Sequence, residues 1–270
     1  MRQNNRMSVQ SDQRGATLIV VLIILLVITV VGVLAIRVAI VSLAVATNSQ
    51  VDQLNFQSAD TPLYLLAQSD PENLTNFGNV IGASLREHEN SPGGEYIFCY
   101  KPTSTTVRFA QTVDAALIRA GTGDNATKEA GLSNGFCNLE TDFGSSRQAV
   151  STQVAVSVPT DAAADLPGSN LPRGINLSEG TQLPKQMTST QRVRVTATSM
   201  LPAYSPTSVA TIQANCLSAN KLKISDNTTE ALKNKETLAN CMATNKVPFN
   251  VQVQEFNYLN KLTEVTAPGS

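Results

Sequence analysis

The first long stretch of this chain is apolar without interruption. From Ala16 to Ile36, in the run ATLIVVLIILLVITVVGVLAI, no charged residue occurs. These roughly 21 residues, at about 1.5 Å per helical residue, cover the ~30 Å hydrocarbon thickness of a bilayer. The spacing therefore predicts a membrane-spanning helix over 16–36. Over 37–68 the pattern becomes amphipathic. Ala44, Thr47, Val51, Leu54, Ser58, Thr61 and Leu65 recur at heptad-like spacing, while Asn48, Gln50, Asp52, Asn55 and Gln57 fall on other faces. Pro62 lacks a backbone N–H and is expected to end or kink the helix nearby, with Leu63–Ala67 resuming it.

Past residue 70 the period shortens to two. Strands are predicted over 95–100, 105–110, 149–158, 191–198 and 248–256. Such alternation implies a sheet with one face packed on a helix and the other wet. Short helices are expected at 114–120 and 229–241. The segment 159–185, rich in Pro, Gly, Ala, Asp and Ser, is expected to be a long loop. The fold class that results is α+β: a long N-terminal membrane-spanning helix packed on an antiparallel β-sheet in a domain over 69–270.

Composition narrows the function classes. At 42% hydrophobic and 15% charged the chain is too apolar to be disordered. Its formal net charge of -1 comes without any dense Lys/Arg cluster, so no nucleic acid is expected as a direct ligand. Arg2, Arg6 and Arg14 precede the apolar run, opposed only by Asp12, which argues for a cytoplasmic N-terminus. Arg37, standing alone after the run, weakens that contrast slightly. All four cysteines lie beyond the run, in a compartment that permits disulfides.

The junction before the run separates competing readings. A secretory signal peptide has a shorter apolar region and a small-residue cleavage site, and here Val38–Ala46 stays apolar instead. A plain signal anchor fits the run but leaves Asp12-Gln13-Arg14-Gly15-Ala16-Thr17-Leu18 unexplained. That stretch resembles the class III signal of type IV pilins, a short basic leader ending in Gly before an apolar helix. The resemblance implies that a prepilin peptidase cuts between Gly15 and Ala16, removes the leader 1–15 and methylates the new N-terminus at Ala16. One departure stands out: the fifth residue after the cut, usually Glu in these proteins, is Val20. A carboxylate there would pair with a neighbouring subunit's amino-terminus, a pair Val20 cannot make. The resemblance associates this loss with a tip subunit and with other minor pilins.

Residues 13–37 are similar to the N-terminal segment of PilX-type minor pilins, and Phe56-Gln57-Ser58-Ala59-Asp60 stands where those proteins carry a Phe-Gln-Ala-Ala-Glu-like motif. Thr61-Pro62 departs from the helical continuation of that family. The likeness covers about 13–66. It implies a subunit of the bacterial inner membrane, its folded part periplasmic, that later enters a pilus. The implied partners are other minor pilins, the major pilin and the prepilin peptidase, with no cofactor. A type II secretion pseudopilin and an unrelated single-pass anchored binding module remain as alternatives.

Cys99, Cys137, Cys216 and Cys241 allow three connectivities. Nearest-neighbour pairing favours Cys99–Cys137 and Cys216–Cys241. The second loop would resemble the disulfide-bonded C-terminal region of many pilins. Zinc is a weaker alternative, since there is no C-x2-C pair and the single histidine, His88, is remote. His88 lies in Arg86-Glu87-His88-Glu89, expected on the solvent face of a helix, and no catalytic constellation surrounds it. No metal site is expected. Gly121-Thr122-Gly123 lacks the Lys and Ser/Thr of a phosphate loop. Asp124, Asn125, Thr127 and Glu129 could offer oxygens to calcium, but not at EF-hand spacing.

Overall fold

A computed structural model describes residues 14–102, 110–120, 126–129, 135–144, 148–160, 190–218, 223–225 and 235–259. The chain divides into two compact units, Met1–Gln50 and Val51–Ser270. Helix α1 runs unbroken from Arg14 to Gln68. It is followed by α2 (Pro71–Leu74), α3 (Val80–Asn90), β1 (Glu95–Tyr100), β2 (Ala116–Ala120), β3 (Ala126–Lys128), β4 (Ser151–Ser157) and β5 (Thr190–Met200). Then come α4 (Val209–Cys216), α5 (Leu238–Thr244) and β6 (Phe249–Leu259). The strands form one antiparallel sheet in the order β3-β2-β1-β4-β5-β6.

Each short helix starts where a side chain supplies the missing acceptor. The Ile81 amide donates to Asn79 Oδ1 at 3.0 Å, the Thr211 amide to Ser208 Oγ at 3.3 Å and the Asn240 amide to Thr237 Oγ1 at 3.1 Å. Thr237 thereby moves the start of the last helix to Leu238, well inside the expected 229–241; residues 229–234 lie outside the described set. The expected helix at 114–120 is instead strand β2, preceded by a single tight turn at Thr112–Asp114. Ala115, Ala116, Leu117 and Ile118 are all buried, and pairing with β1 overrides the helical preference of an Ala-Leu-rich segment. Of the strand expected at 105–110 only Ala110 is described, and of the loop expected at 159–185 only Pro159 and Thr160.

Period-two alternation led to the expectation of a wet sheet face, and this is corrected: the centre of the sheet is buried on both faces. One face carries Phe98, Tyr100, Val154, Val156, Val193 and Val195, packed with Ala59, Leu63 and Leu66 of α1 and Val80, Ile81 and Leu85 of α3. The other face carries Ile97, Ala155 and Met200, covered by Ile212, Leu217, Leu238 and Met242 from the α4–α5 region. The small or polar inward residues of that second face look solvent-facing in sequence, yet Gln153, Thr196 and Thr198 are buried. Gln153 is their hub. Its Nε2 donates to the carbonyls of Phe98 and Gly135, each at 2.9 Å, and its Oε1 accepts from the Cys137 amide at 2.9 Å. Gly135 sits at φ +62° with Ile97 O and Ala116 N each 2.6 Å from where a Cβ would stand, so the covering loop passes too close for any side chain.

Both cystines lie in this cover. Cys99 Sγ and Cys137 Sγ are 1.98 Å apart with Cα atoms at 4.8 Å, joining β1 to the loop after Gly135. Cys216 Sγ and Cys241 Sγ are 1.96 Å apart with Cα atoms at 5.7 Å, joining α4 to α5. Asn245 Nδ2 closes the second bridge from outside, donating to the Cys241 carbonyl at 2.8 Å and to Cys216 Sγ at 3.4 Å.

Candidate assembly helix

In the first unit the described side chains of α1 are wholly exposed. Large apolar residues from Leu18 to Val45 each keep between 50% and 70% of their surface. Mean hydropathy over the best 18-residue window is 3.5, and none of that window is buried. An apolar surface of this length is stable only in lipid or against other apolar helices. Two of its threonines are satisfied locally: Thr29 Oγ1 donates to the Leu26 carbonyl at 2.8 Å and Thr47 Oγ1 to the Leu43 carbonyl at 2.9 Å. These two hydroxyls are therefore not stranded when the helix changes surroundings from lipid to protein.

Gly15 and Ala16 lie in the first turn of α1, so the peptide bond between them is at the very start of the helix. Residues 1–13 lie outside the described set. No acidic residue stands in that first turn, and Val20 presents an exposed isopropyl group where a carboxylate would be expected.

In the second unit, the α1 residues from Val51 onward pack on the sheet. The buried face is Asn55, Ala59, Pro62, Leu63 and Leu66, at the i, i+4, i+7, i+8 spacing of one helical stripe. This corrects the expected heptad face. Val51, Leu54, Ser58 and Leu65 are only half-buried at its margin, while Ala44, Thr47 and Thr61 are exposed. Asn55, expected on an outer face, is 1% exposed. The sheet offers it one hydroxyl, and Asn55 Nδ2 is buried without a hydrogen-bond partner. Ser199 Oγ on β5 donates to the Asn55 carbonyl at 2.7 Å and lies 3.3 Å from Asn55 Oδ1.

Pro62 leaves the helix unbroken, and it runs on to Gln68, the expected end of the amphipathic stretch. Its missing N–H frees the Ser58 carbonyl, and Thr152 Oγ1 on β4 donates to that carbonyl at 3.4 Å. Sheet hydroxyls thus serve two α1 carbonyls at the turn where the proline would otherwise leave one unpaired.

Elsewhere the candidate chemistry resolves into structure. His88 is half-buried on α3 rather than on its solvent face, and its Nδ1 is buried without a hydrogen-bond partner. Burial pulls its pKa below the usual histidine value, partly opposed by Glu89. Glu129 pairs with Arg119 at 3.0 Å, and Arg119 also binds Glu87, so Glu129 serves an ion-pair cluster. Burial lowers the Arg119 pKa, but the hydrogen bonds it donates to Glu129 and Glu87, together with their negative charges, outweigh it and the net direction is up. Asp124, Asn125 and Gly121–Gly123 lie outside the described residues; Thr127 lies on β3. Among the described residues no group of three or more His, Cys, Asp or Glu is placed to hold a metal ion.

Sequence reasoning missed the Asn55–Ser199 and Ser58–Thr152 contacts. Their only trace in sequence is a proline inside an otherwise helical pattern and two hydroxyl residues on strands.

The comparison that bears on identity concerns α1. Residues 14–63 match the family model of the PilX N-terminal segment. Over that segment the chain is similar to the PilX-type minor pilins. The match spans about a fifth of the chain, from the first turn of α1 to Leu63 on the buried stripe. The sheet, both cystines and the α4–α5 cover lie beyond it. No curated protein and no solved structure matches the chain. The likeness thus covers the exposed apolar run and the first part of the packed stretch, including the described helix that is long and apolar enough to cross a membrane.

Proposed function

We propose that this chain is a minor pilin that acts in pilus assembly, as one subunit of an inner-membrane complex that primes the filament and is then carried at or near its tip. The carrying observation is the exposed apolar stretch of α1, uncharged from Ala16 to Ile36, that begins beside Arg14-Gly15-Ala16. The chain inserts with its basic leader in the cytoplasm and its sheet domain in the periplasm. Prepilin peptidase cuts between Gly15 and Ala16 and methylates Ala16. The apolar helix then leaves the bilayer and packs among those of the major pilin and other minor pilins, driven by burial worth about 25 cal/mol per Å².

Val20 supports a place that needs no carboxylate in the first turn, as at a tip or in another minor-pilin position. Piliation, twitching motility, adhesion and DNA uptake are the processes such a complex would serve. A type II secretion pseudopilin with the same helix mechanics is the second reading, and an anchored binding protein unrelated to pili is the third. No catalytic step is assigned to any residue.

Mass spectrometry of the mature N-terminus tests the processing. A chain beginning at N-methylated Ala16, with a Gly15→Ala variant that accumulates uncut, is the expected result. A mature chain that retains Met1 or the leader refutes it. Loss of surface pili on deleting the gene, with secretion intact, separates the pilus reading from the secretion one.

A further inference from the structure

Between Ala16 and Gln50 the chain carries a single charge, Arg37. Its helical neighbours one turn away are Val33, Leu34, Ile40 and Val41, which keep 54%, 56%, 62% and 63% of their surface. The guanidinium therefore sits at the centre of an apolar patch on an unpartnered helix. The helix offers it no acid, because the next one along is Asp52, about four turns further on.

We propose that this patch docks an apolar helix of a partner subunit that carries one carboxylate at the level of Arg37, and that Arg37 pairs with it. The proposal rests on the pilin reading above and adds the partner's chemistry. A helix laid on Val33, Leu34, Ile40 and Val41 buries the guanidinium between the two rods. A buried guanidinium is tolerated only when its fork of N–H donors meets an acceptor of opposite charge. The carbonyls of α1 are already used within the helix, so the acceptor comes from the partner.

Lipid phosphate is the competing acceptor, since Arg37 follows about 31 Å of apolar helix and would reach the outer headgroups. The sequence beyond it favours protein. Val38 to Ala46 is again uncharged, and Val38, Ile40, Val41, Leu43 and Val45 are 62–70% exposed. With Arg37 at the headgroups these residues would stand beyond the hydrocarbon, where only a protein surface can cover them.

The test uses the full-length unprocessed chain, with a Ser8→Cys label for energy transfer, in phosphatidylcholine vesicles. The probe is a synthetic leucine-alanine transmembrane helix with one Glu at the outer interfacial level; its control carries Gln there. The expected result is half-maximal transfer at roughly tenfold lower density for the Glu helix, a difference of about 1.4 kcal/mol. Arg37→Gln abolishes that preference and Arg37→Lys keeps part of it. Equal association of the Glu and Gln helices overturns the proposal, as does an unchanged preference in Arg37→Gln. An effect of Arg37 that shows only when phosphatidylglycerol is added assigns the residue to lipid phosphate and also overturns it. No peptidase takes part, so failure here leaves the processing reading standing, and a failed cleavage leaves this one standing.

Discussion

Helix α1 is made of similar residues at both ends and treats them oppositely. Leu25 in the first stretch keeps 58% of its surface, while Leu66 in the second keeps 2%. The second leucine stabilises the chain's own fold; the first contributes nothing to it and awaits lipid or a partner. Helical periodicity alone does not produce this difference, because the first stretch is apolar on every face. What separates them is the sheet, which contacts the helix along one stripe from Asn55 to Leu66.

The comparison can be broken most forcefully at the cystines. Each bridge closes a loop, with separations of 38 and 25 residues, and each is expected to contribute about 3–4 kcal/mol in the chain-entropy view. Reduction of the full chain in bilayers should collapse the denaturation midpoint of the sheet domain. The helical signal of the membrane stretch should persist, as read by circular dichroism of protease-trimmed vesicles. Loss of both together would mean that the first stretch depends on the domain.

Leu66→Ala should cost about 2–5 kcal/mol of sheet-domain stability, whereas Leu25→Ala should leave the midpoint unchanged. Paired denaturant titrations check this, and equal effects would erase the contrast. A smaller loss, about 1 kcal/mol, is expected for Ser199→Ala, which removes the donor to the Asn55 carbonyl.

The finest test is pH. Burial holds His88 below its ordinary pKa of about 6.5, so the unfolded chain takes up the proton first as pH falls. Stability of the sheet domain is then full above about pH 6.5 and declines as pH drops below it. His88 is the chain's one histidine, so His88→Asn should flatten the profile in that window. A profile unchanged by His88→Asn would exclude the imidazole as its origin.

Much of this was legible beforehand because it depends on local pattern. The uncharged run implied the membrane-length helix, and the alternating segment at 95–100 appears as β1 with the same ends, those at 149–158, 191–198 and 248–256 as β4, β5 and β6 with shifted ends. Where the reading failed, a distant contact had changed the local preference. Ala116–Ala120 is helical by composition and becomes a strand because β1 offers it an edge. Pro62, by contrast, reads as an end or kink in a helix that resumes over 63–67, and the helix does run on to Gln68, with Thr152 serving the carbonyl the proline frees. His88 reads as solvated among charged neighbours, yet the structure half-buries it and leaves Nδ1 without a partner.

The sequence by itself determined that an uncharged helix of bilayer length precedes a β-rich domain, because length, charge and period are properties of consecutive residues. Only the tertiary structure decided which stripe of α1 is buried, that the second sheet face is covered, and that Gln153 links β4, β1 and the loop after Gly135. Those outcomes join residues far apart in the chain, and their energy comes from close packing and mutual hydrogen-bond satisfaction. No window of neighbouring residues records it.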